Sequence, residues 1–185
     1  MESKQTFQGK NDDSSWARGQ AWAIYGYTAC FRETNDSIFL NFAKDIANMI
    51  MDRVKTEDAI PYWDYDAPVT KETPRDVSAA SVTASAMIEL STMVPDGQKY
   101  LDYAEKILKS LSSDAYLAKV GDNQGFILMH SVGSLPNGSE IDTPLNYADY
   151  YYLEALKRFM ELKKLRVENG ELRVCLLYTS DAADE

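Results

Sequence analysis

Side chains with strong binding chemistry are concentrated in one short stretch, Asp12 to Trp22. Arg18 and Trp22 are four residues apart and share one helix face, while Trp16 and Gln20 repeat that spacing on a neighbouring face. An indole offers a flat apolar platform for a sugar ring, and a guanidinium donates charge-assisted hydrogen bonds to a carboxylate. The same spacing is also compatible with two core tryptophans and an arginine that extends past them to solvent.

Acidic residues mark the starts of three expected helices. Asp13, Asp76 and Asp149 each lie at or near such a start, at broadly similar separations along the chain. This arrangement is expected of an α/α toroid in which the helix ends converge on one site. The alternative is local, and for Asp13 and Asp76 we favour it: both would cap their helices. Asp149, inside a first turn, would then compensate the helix dipole.

Five stretches of helical periodicity would position these residues. The second and fourth have one apolar face, whereas the third has small residues all round, which predicts a buried inner helix. Long polar or aromatic loops precede the inner helices, and one short extended piece is expected at 126–129. The order inner, outer, inner, outer, inner predicts an all-α fold, a partial α/α toroid. The expected helices are 17–33, 38–54, 76 or 78 to 93, 100–111 and 146–164.

The composition excludes some functions and leaves others open. A net charge of −10 argues against a nucleic-acid surface, although a local cationic pocket could bind an acidic ligand. With Cys30, Cys175 and a single histidine, His130, no zinc site, metal or cofactor is implied. No apolar run approaches the roughly 20 residues that span a bilayer, and the first residues form no signal peptide. If the chain is a fragment, its true amino terminus is absent, so cytoplasm and periplasm both remain open.

The end of the chain departs from the hairpin pattern. Helical periodicity stops near Lys164, and the segment from Cys175 to Glu185 resembles a translated sequencing-adaptor read-through. We therefore expect one domain over residues 1–164 and a disordered or artefactual tail over 165–185. A native disordered tail is the alternative.

Three segments together carry a family resemblance. Residues 12–22 read DDSSWARGQAW, residues 74–80 read PRDVSAA, and the stretch that begins at His130 includes PLNYADYYYLEAL over 144–156. In combination they resemble glycoside hydrolase family 88, the unsaturated glucuronyl hydrolases, over roughly residues 3 to 163. The resemblance implies an (α/α)6 barrel, of which this chain looks like the carboxy-terminal half.

The resemblance also implies a reaction. Members of that family remove a 4,5-unsaturated uronic acid from the non-reducing end of oligosaccharides that polysaccharide lyases release. An aspartic acid protonates the vinyl ether at C4, water adds at C5, and the resulting hemiketal opens; most glycosidases instead displace at the anomeric carbon. The catalytic aspartates of the family precede the segment that starts here. No residue of this chain is therefore assigned as the general acid.

By motif alignment, the resemblance places several residues in the substrate site. Arg18 would face the uronate carboxylate, and Trp16 and Trp22 would stack against the ring. Gln8 would hydrogen-bond a hydroxyl group, with Thr6 as a neighbour. Two further candidates have structural alternatives: His130 could reach the site from its loop or serve the loop itself, and Tyr147 could line the pocket or pack in the core.

Two other functions remain possible at this stage. An unsaturated rhamnogalacturonyl hydrolase of glycoside hydrolase family 105 would share the fold and the hydration chemistry but act on pectin fragments. A non-catalytic sugar-binding toroid would need no general acid. Upstream sequence with two inner-helix aspartates would favour an enzyme, and in either case this chain alone is expected to be inactive.

Overall fold

A computed structural model describes residues 5–168, which contain all five predicted helices. The chain forms a partial α/α toroid, as the periodicity predicted, with one short β-hairpin between the last two helices. The elements are α1 (Ala17–Thr34), α2 (Ser37–Arg53), α3 (Val77–Ser91), α4 (Gln98–Leu111), β1 (Ser131–Ser134), β2 (Ser139–Thr143) and α5 (Asn146–Glu168).

Helix α3 is the centre of the core. Every residue of α3 except Glu89 is buried, and the helix packs against α1, α4 and α5. Alanine and serine make up much of its sequence, so the backbones of three neighbours can approach it closely. The predicted buried inner helix is confirmed. Within the described residues its three helix neighbours already cover α3.

Helix starts follow the capping prediction at two places and depart from it at a third. Asp36 accepts a hydrogen bond from Ile38 N at 2.9 Å, and Asp76 accepts from the first amides of α3. The expected cap by Asp13 is wrong, because Trp16 is the N-cap of α1 and makes no side-chain cap bond. Instead, Ala17 N donates to the carbonyl of Trp63 at 3.0 Å. A carbonyl from a distant loop thus takes the place of a side-chain cap at the start of α1.

The β-hairpin was not predicted, whereas the short extended piece expected at 126–129 is present only as an isolated bridge, in which Leu128 pairs antiparallel with Leu117. The amides of Ile127 and Leu128 bond to the Asp149 carboxylate at 2.8 and 2.9 Å. Asp149 therefore holds a loop against the first turn of α5 and does more than compensate a dipole. Strands β1 and β2 pair antiparallel across a turn that contains Gly138 at φ 63°.

Helix α5 continues to Glu168, beyond the predicted end at Lys164. The prediction for the segment from Cys175 to Glu185 falls outside the described residues. None of the helices in the described part of the chain is long and apolar enough to cross a membrane.

Candidate functional site

The amino-terminal ends of α1, α3 and α5 meet the β-hairpin around Arg18. The Arg18 side chain is only 3% exposed, and its Nη1 lies 3.3 Å from Asp76 Oδ2 and 3.2 Å from Ser78 Oγ. The same guanidinium also donates to the carbonyls of Val132 and Gly133 in β1. One buried side chain on α1 therefore joins α3 to the hairpin. We call Arg18, Asp76, Ser78, Val132 and Gly133 the arginine cluster.

Asp76 is the anionic centre of the arginine cluster. It is fully buried and accepts hydrogen bonds from Ser78 Oγ at 2.5 Å and from Ser78 N at 3.1 Å. Burial raises the pKa of Asp76, while the Arg18 charge and the hydrogen-bond donors act in the opposite direction. The carboxyl group thus depends on its protein partners for solvation. Asp76 serves both as the cap of α3 and as the counterion of Arg18.

Aromatic side chains surround the guanidinium. The Arg18 Cζ lies 4.8 Å from the ring centroid of Trp16 and 5.4 Å from that of Tyr147, within range of cation–π attraction. Trp22 is partly buried, with its ring centroid 6.2 Å from Tyr147 and 5.1 Å from Tyr151. Residues of α1 and α5 therefore form one aromatic wall, which we define as Trp16, Trp22, Tyr147 and Tyr151.

Gln8 and Thr6 belong to the loop before α1 and have different surroundings. Gln8 Nε2 donates to the carbonyl of Gly133 at 2.9 Å, so Gln8 contacts the arginine cluster directly. The Thr6 hydroxyl accepts from Gly9 N at 2.9 Å, and Thr6 N donates to Asp12 at 2.9 Å. The structure thus brings Gln8 to the predicted site and gives Thr6 a role in shaping its loop.

His130 lies at the base of the hairpin. Its Nδ1 is 2.6 Å from Asp142 Oδ1, its ring edge faces Tyr116 at a centroid distance of 6.2 Å, and its side chain is 42% exposed. Its carbonyl accepts from Val77 N at 3.2 Å, at the start of α3. The contacts of His130 in the described residues are therefore with the hairpin, Tyr116 and α3. Its side chain makes no contact with Arg18 there.

Sequence reasoning missed two features of the site. Asp64 is fully buried and accepts hydrogen bonds from Lys10 N, Ser14 Oγ and Asp66 N at 2.9, 2.7 and 2.9 Å. It ties the loop before α1 to the loop before α3. The hairpin carbonyls that bind Arg18 were missed too. No local pattern marks either, because the bonds from Asp64 to the loop before α1 span 50 and 54 positions and those from Arg18 to the hairpin span 114 and 115.

A search for metal ligands found no group of three or more His, Cys, Asp or Glu side chains in the described residues that could hold an ion. Cys30 is a free, exposed thiol on α1. The chemistry that these residues support is recognition of a ring and an anion by aromatic faces and a guanidinium.

Its helical hairpins, with inner helices that converge at one end, place this chain in the class of α/α toroid proteins. Comparisons with known proteins show which proteins the chain is similar to. The chain is 46% identical over 163 residues to an unsaturated glucuronyl hydrolase of Formosa agariphila, covering 88% of this chain and 40% of the relative. It is 35% identical to an unsaturated chondroitin disaccharide hydrolase of Streptococcus agalactiae, over 83% of this chain and 39% of the relative.

Solved structures agree with the sequence comparison. An unsaturated glucuronyl hydrolase specific for heparin superposes with a TM-score of 0.85 at 58% identity, over 88% of this chain and 44% of that one. The Bacillus sp. GL1 enzyme gives a TM-score of 0.78 at 32% identity, over 90% and 42%. No protein-family model matches. The chain is thus a relative of the unsaturated glucuronyl hydrolases, as the motifs predicted, and spans about 40% of the length of the curated relatives it matches.

Proposed function

We propose that this chain supplies the sugar-binding part of an unsaturated glucuronyl hydrolase. The reaction would remove a 4,5-unsaturated uronic acid from the non-reducing end of lyase-generated oligosaccharides, by hydration of the vinyl ether. The substrate is an anionic oligosaccharide, and neither nucleic acid nor a membrane is a proposed partner.

One observation carries this proposal. Trp16, Arg18 and Trp22 belong to the motif at residues 12–22 and Tyr147 to the motif at residues 144–156, and the two motifs converge at the amino-terminal ends of α1 and α5. A ring stacked on the partly buried face of Trp22 or Tyr147 would lie beside the positive charge of Arg18. This pairing of a flat apolar surface with a cation suits a uronic acid, which has an apolar ring face and a carboxylate.

Arg18 would act mainly through its charge and its hold on the hairpin. Its guanidinium already bonds to Asp76, Ser78 and two carbonyls, so a direct contact with the uronate carboxylate requires movement of the β1–β2 hairpin. The general acid would come from outside this chain. In the described residues two aspartates are fully buried, Asp64 and Asp76. Both already accept hydrogen bonds from other residues of the chain, so we assign neither as the general acid.

The test is a hydrolase assay on a longer protein that contains these residues. Hydration removes the 4,5 double bond, so loss of its ultraviolet absorbance measures turnover. Lyase products of glycosaminoglycans should be consumed, and those of rhamnogalacturonan should be consumed far more slowly. The reverse preference would favour the rhamnogalacturonyl hydrolase alternative, and no turnover of either would overturn the proposal.

Binding variants then test the site. Trp22→Ala should weaken binding of the unsaturated disaccharide roughly tenfold, since aromatic stacking and area burial are lost. Tyr27→Ala is the matched control, because Tyr27 also lies on α1 but stacks on Phe42 at 5.2 Å, away from the aromatic wall. Arg18→Ala should weaken binding of the free acid more than that of its methyl ester. An equal loss for both would give Arg18 a structural role only.

A further inference from the structure

A pocket lies apart from the aromatic wall, between the end of α2 and the loop that leads to α3. Its volume is about 370 Å³, within the roughly 300–1,000 Å³ range of small-molecule sites. Three cationic side chains line it, Arg53, Lys55 and Arg75, together with the rings of Tyr62 and Tyr65. It shares no lining residue with the arginine cluster.

The charges around this pocket are arranged asymmetrically. Each cation has a carboxylate partner: Arg53 bonds to Asp66 at 2.7 Å, Arg75 to Asp58 at 3.3 Å and Lys55 to Asp52 at 3.3 Å. None of those three aspartates lines the pocket. The lining of the pocket therefore contains three cationic side chains and no carboxylate.

Donor groups remain for a ligand. In the described part of the chain, Arg53 bonds through Nη2 only and Arg75 through Nη1 only, although a guanidinium carries five N–H donors. The Arg75 Cζ also lies 4.5 Å from the ring centroid of Tyr62, which fixes its plane. Two forked donors beside aromatic and apolar walls suit an anion that offers paired oxygens and is attached to a ring.

We propose that this pocket is a second binding site for an anionic sugar unit, separate from the site at the aromatic wall. The charged group would lie between Arg53 and Arg75, with Lys55 at the rim, and the ring would rest against Tyr62. The anion is either a uronate carboxylate or a sulfate ester, because both offer paired oxygens to a guanidinium. The pocket's own lining carries this inference, which does not depend on the proposed hydrolase activity.

Calorimetric titration of the 185-residue chain tests the proposal. The probes are an unsaturated glucuronic acid linked to 6-sulfated N-acetylgalactosamine (dGlcA-GalNAc6S), the same disaccharide without the sulfate group, and inorganic sulfate. The double variant Arg53→Gln/Lys55→Gln, which keeps a polar side chain at each position and removes two charges, should weaken binding of the sulfated disaccharide about tenfold or more. Lys99→Gln is the matched control, because Lys99 pairs with Asp96 at i,i+3 as Lys55 does with Asp52, but lies outside the pocket.

The outcomes separate the two ligand sources and the two sites. Binding that requires the sulfate group and is weakened by the double variant assigns the pocket to sulfate; equal binding of both disaccharides assigns it to the carboxylate. Trp22→Ala weakens binding at the aromatic wall and should leave unchanged the part of the binding that the double variant removes. The proposal is overturned if no probe binds, if the double variant binds as the Lys99→Gln control does, or if Trp22→Ala alone abolishes binding. Circular dichroism melting of each variant confirms that the fold is intact.

Discussion

Arg18 and Asp76 form a buried ion pair whose members depend on each other for solvation. Their side chains are 3% and 0% exposed, so neither charge can recover hydration if the other is removed. The pair also joins α1, α3 and the hairpin through Ser78 and two carbonyls. A substitution at either residue should therefore affect stability before it affects recognition.

Arg18→Ala should lower the free energy of unfolding by about 3–5 kcal/mol, because it leaves Asp76 as an uncompensated buried charge. Urea unfolding followed by circular dichroism measures the loss. Arg53→Ala is the control: its pair with Asp66 is 36% and 40% exposed, so its loss should cost less than about 1 kcal/mol. Similar small losses for both variants would show that the Arg18 pair is not a structural determinant.

The free energy of unfolding should fall in alkaline solution because of the buried Tyr103 hydroxyl. Its hydroxyl is buried without a partner in the described residues, and burial raises the pKa of Tyr103 from 10.0 to about 12. The folded state keeps the proton up to about pH 12, whereas the unfolded state releases it near pH 10. The unfolded state therefore gains stability relative to the folded state as pH rises through that window.

Tyr103→Phe should reduce this alkaline loss, to which Tyr25 with a pKa raised to about 12 also contributes, and should leave the free energy of unfolding at pH 7 unchanged or higher, because a buried hydroxyl without a partner is costly. Unfolding curves at pH 7 and pH 11 make the comparison. Tyr100→Phe is the control and should destabilise, since the Tyr100 hydroxyl donates to Asn48 at 3.1 Å. If Tyr103→Phe destabilised as much as Tyr100→Phe, the Tyr103 hydroxyl would have a partner after all.

At the scale of elements, one glycine allows α3 and α4 to lie close together. Gly97 is the N-cap of α4 and has an ordinary helical φ of −65°, so it is not needed for its backbone angle. A Cβ there would clash with the carbonyl oxygen of Ser91 at the end of α3. Gly26, on α1, has no atom within 4 Å of the position that its Cβ would take. The two sites offer opposite environments for the same substitution.

Gly97→Ala should lower stability by about 1–3 kcal/mol through overpacking against backbone. Gly26→Ala should raise it by about 0.5–1 kcal/mol, because alanine favours the helix over the unfolded chain. Thermal melts of the two variants and the wild-type chain measure the direction of both stability changes in one experiment. A neutral Gly97→Ala variant would mean that the turn between α3 and α4 can move without cost.

At the scale of the whole molecule, the exposed large apolar side chains of the described residues lie on α2, α5, β2 and loops, and none lies on α3. Leu153 and Met160 of α5 are 51% and 69% exposed and seven residues apart, so they share one face. Ile38 and Phe42 of α2 are 52% and 48% exposed. We infer that any tendency of this chain to self-associate arises from these faces.

The 185-residue chain should therefore associate as its concentration rises, and the double variant Leu153→Glu/Met160→Glu should shift it towards monomer. Size-exclusion chromatography with light scattering measures the masses. A matched charge control, Lys157→Glu, places an acid on the same helix without removing an apolar side chain and should leave association largely unchanged. A wild-type monomer with a sharp, cooperative melt would show that these faces do not drive assembly.

Local sequence alone determined the five helices, the capping of α2 and α3 by Asp36 and Asp76, and the burial of α3. Periodicity and capping depend on residues within a few positions of each other, so both can be predicted from the local sequence. The grouping of Trp16, Arg18 and Trp22 was predictable for the same reason, because α1 positions Arg18 and Trp22 and Trp16 is its N-cap.

Only the tertiary structure decided what those side chains touch. The partners of Arg18 lie 58 to 115 residues away, the start of α1 is closed by Trp63 where a cap by Asp13 was expected, and His130 bonds to Asp142 of the hairpin. Such contacts depend on helix packing and on the paths of the loops, which follow from the sum of many weak interactions. The sequence therefore identified a recognition surface, and packing determined that its arginine is buried at the centre.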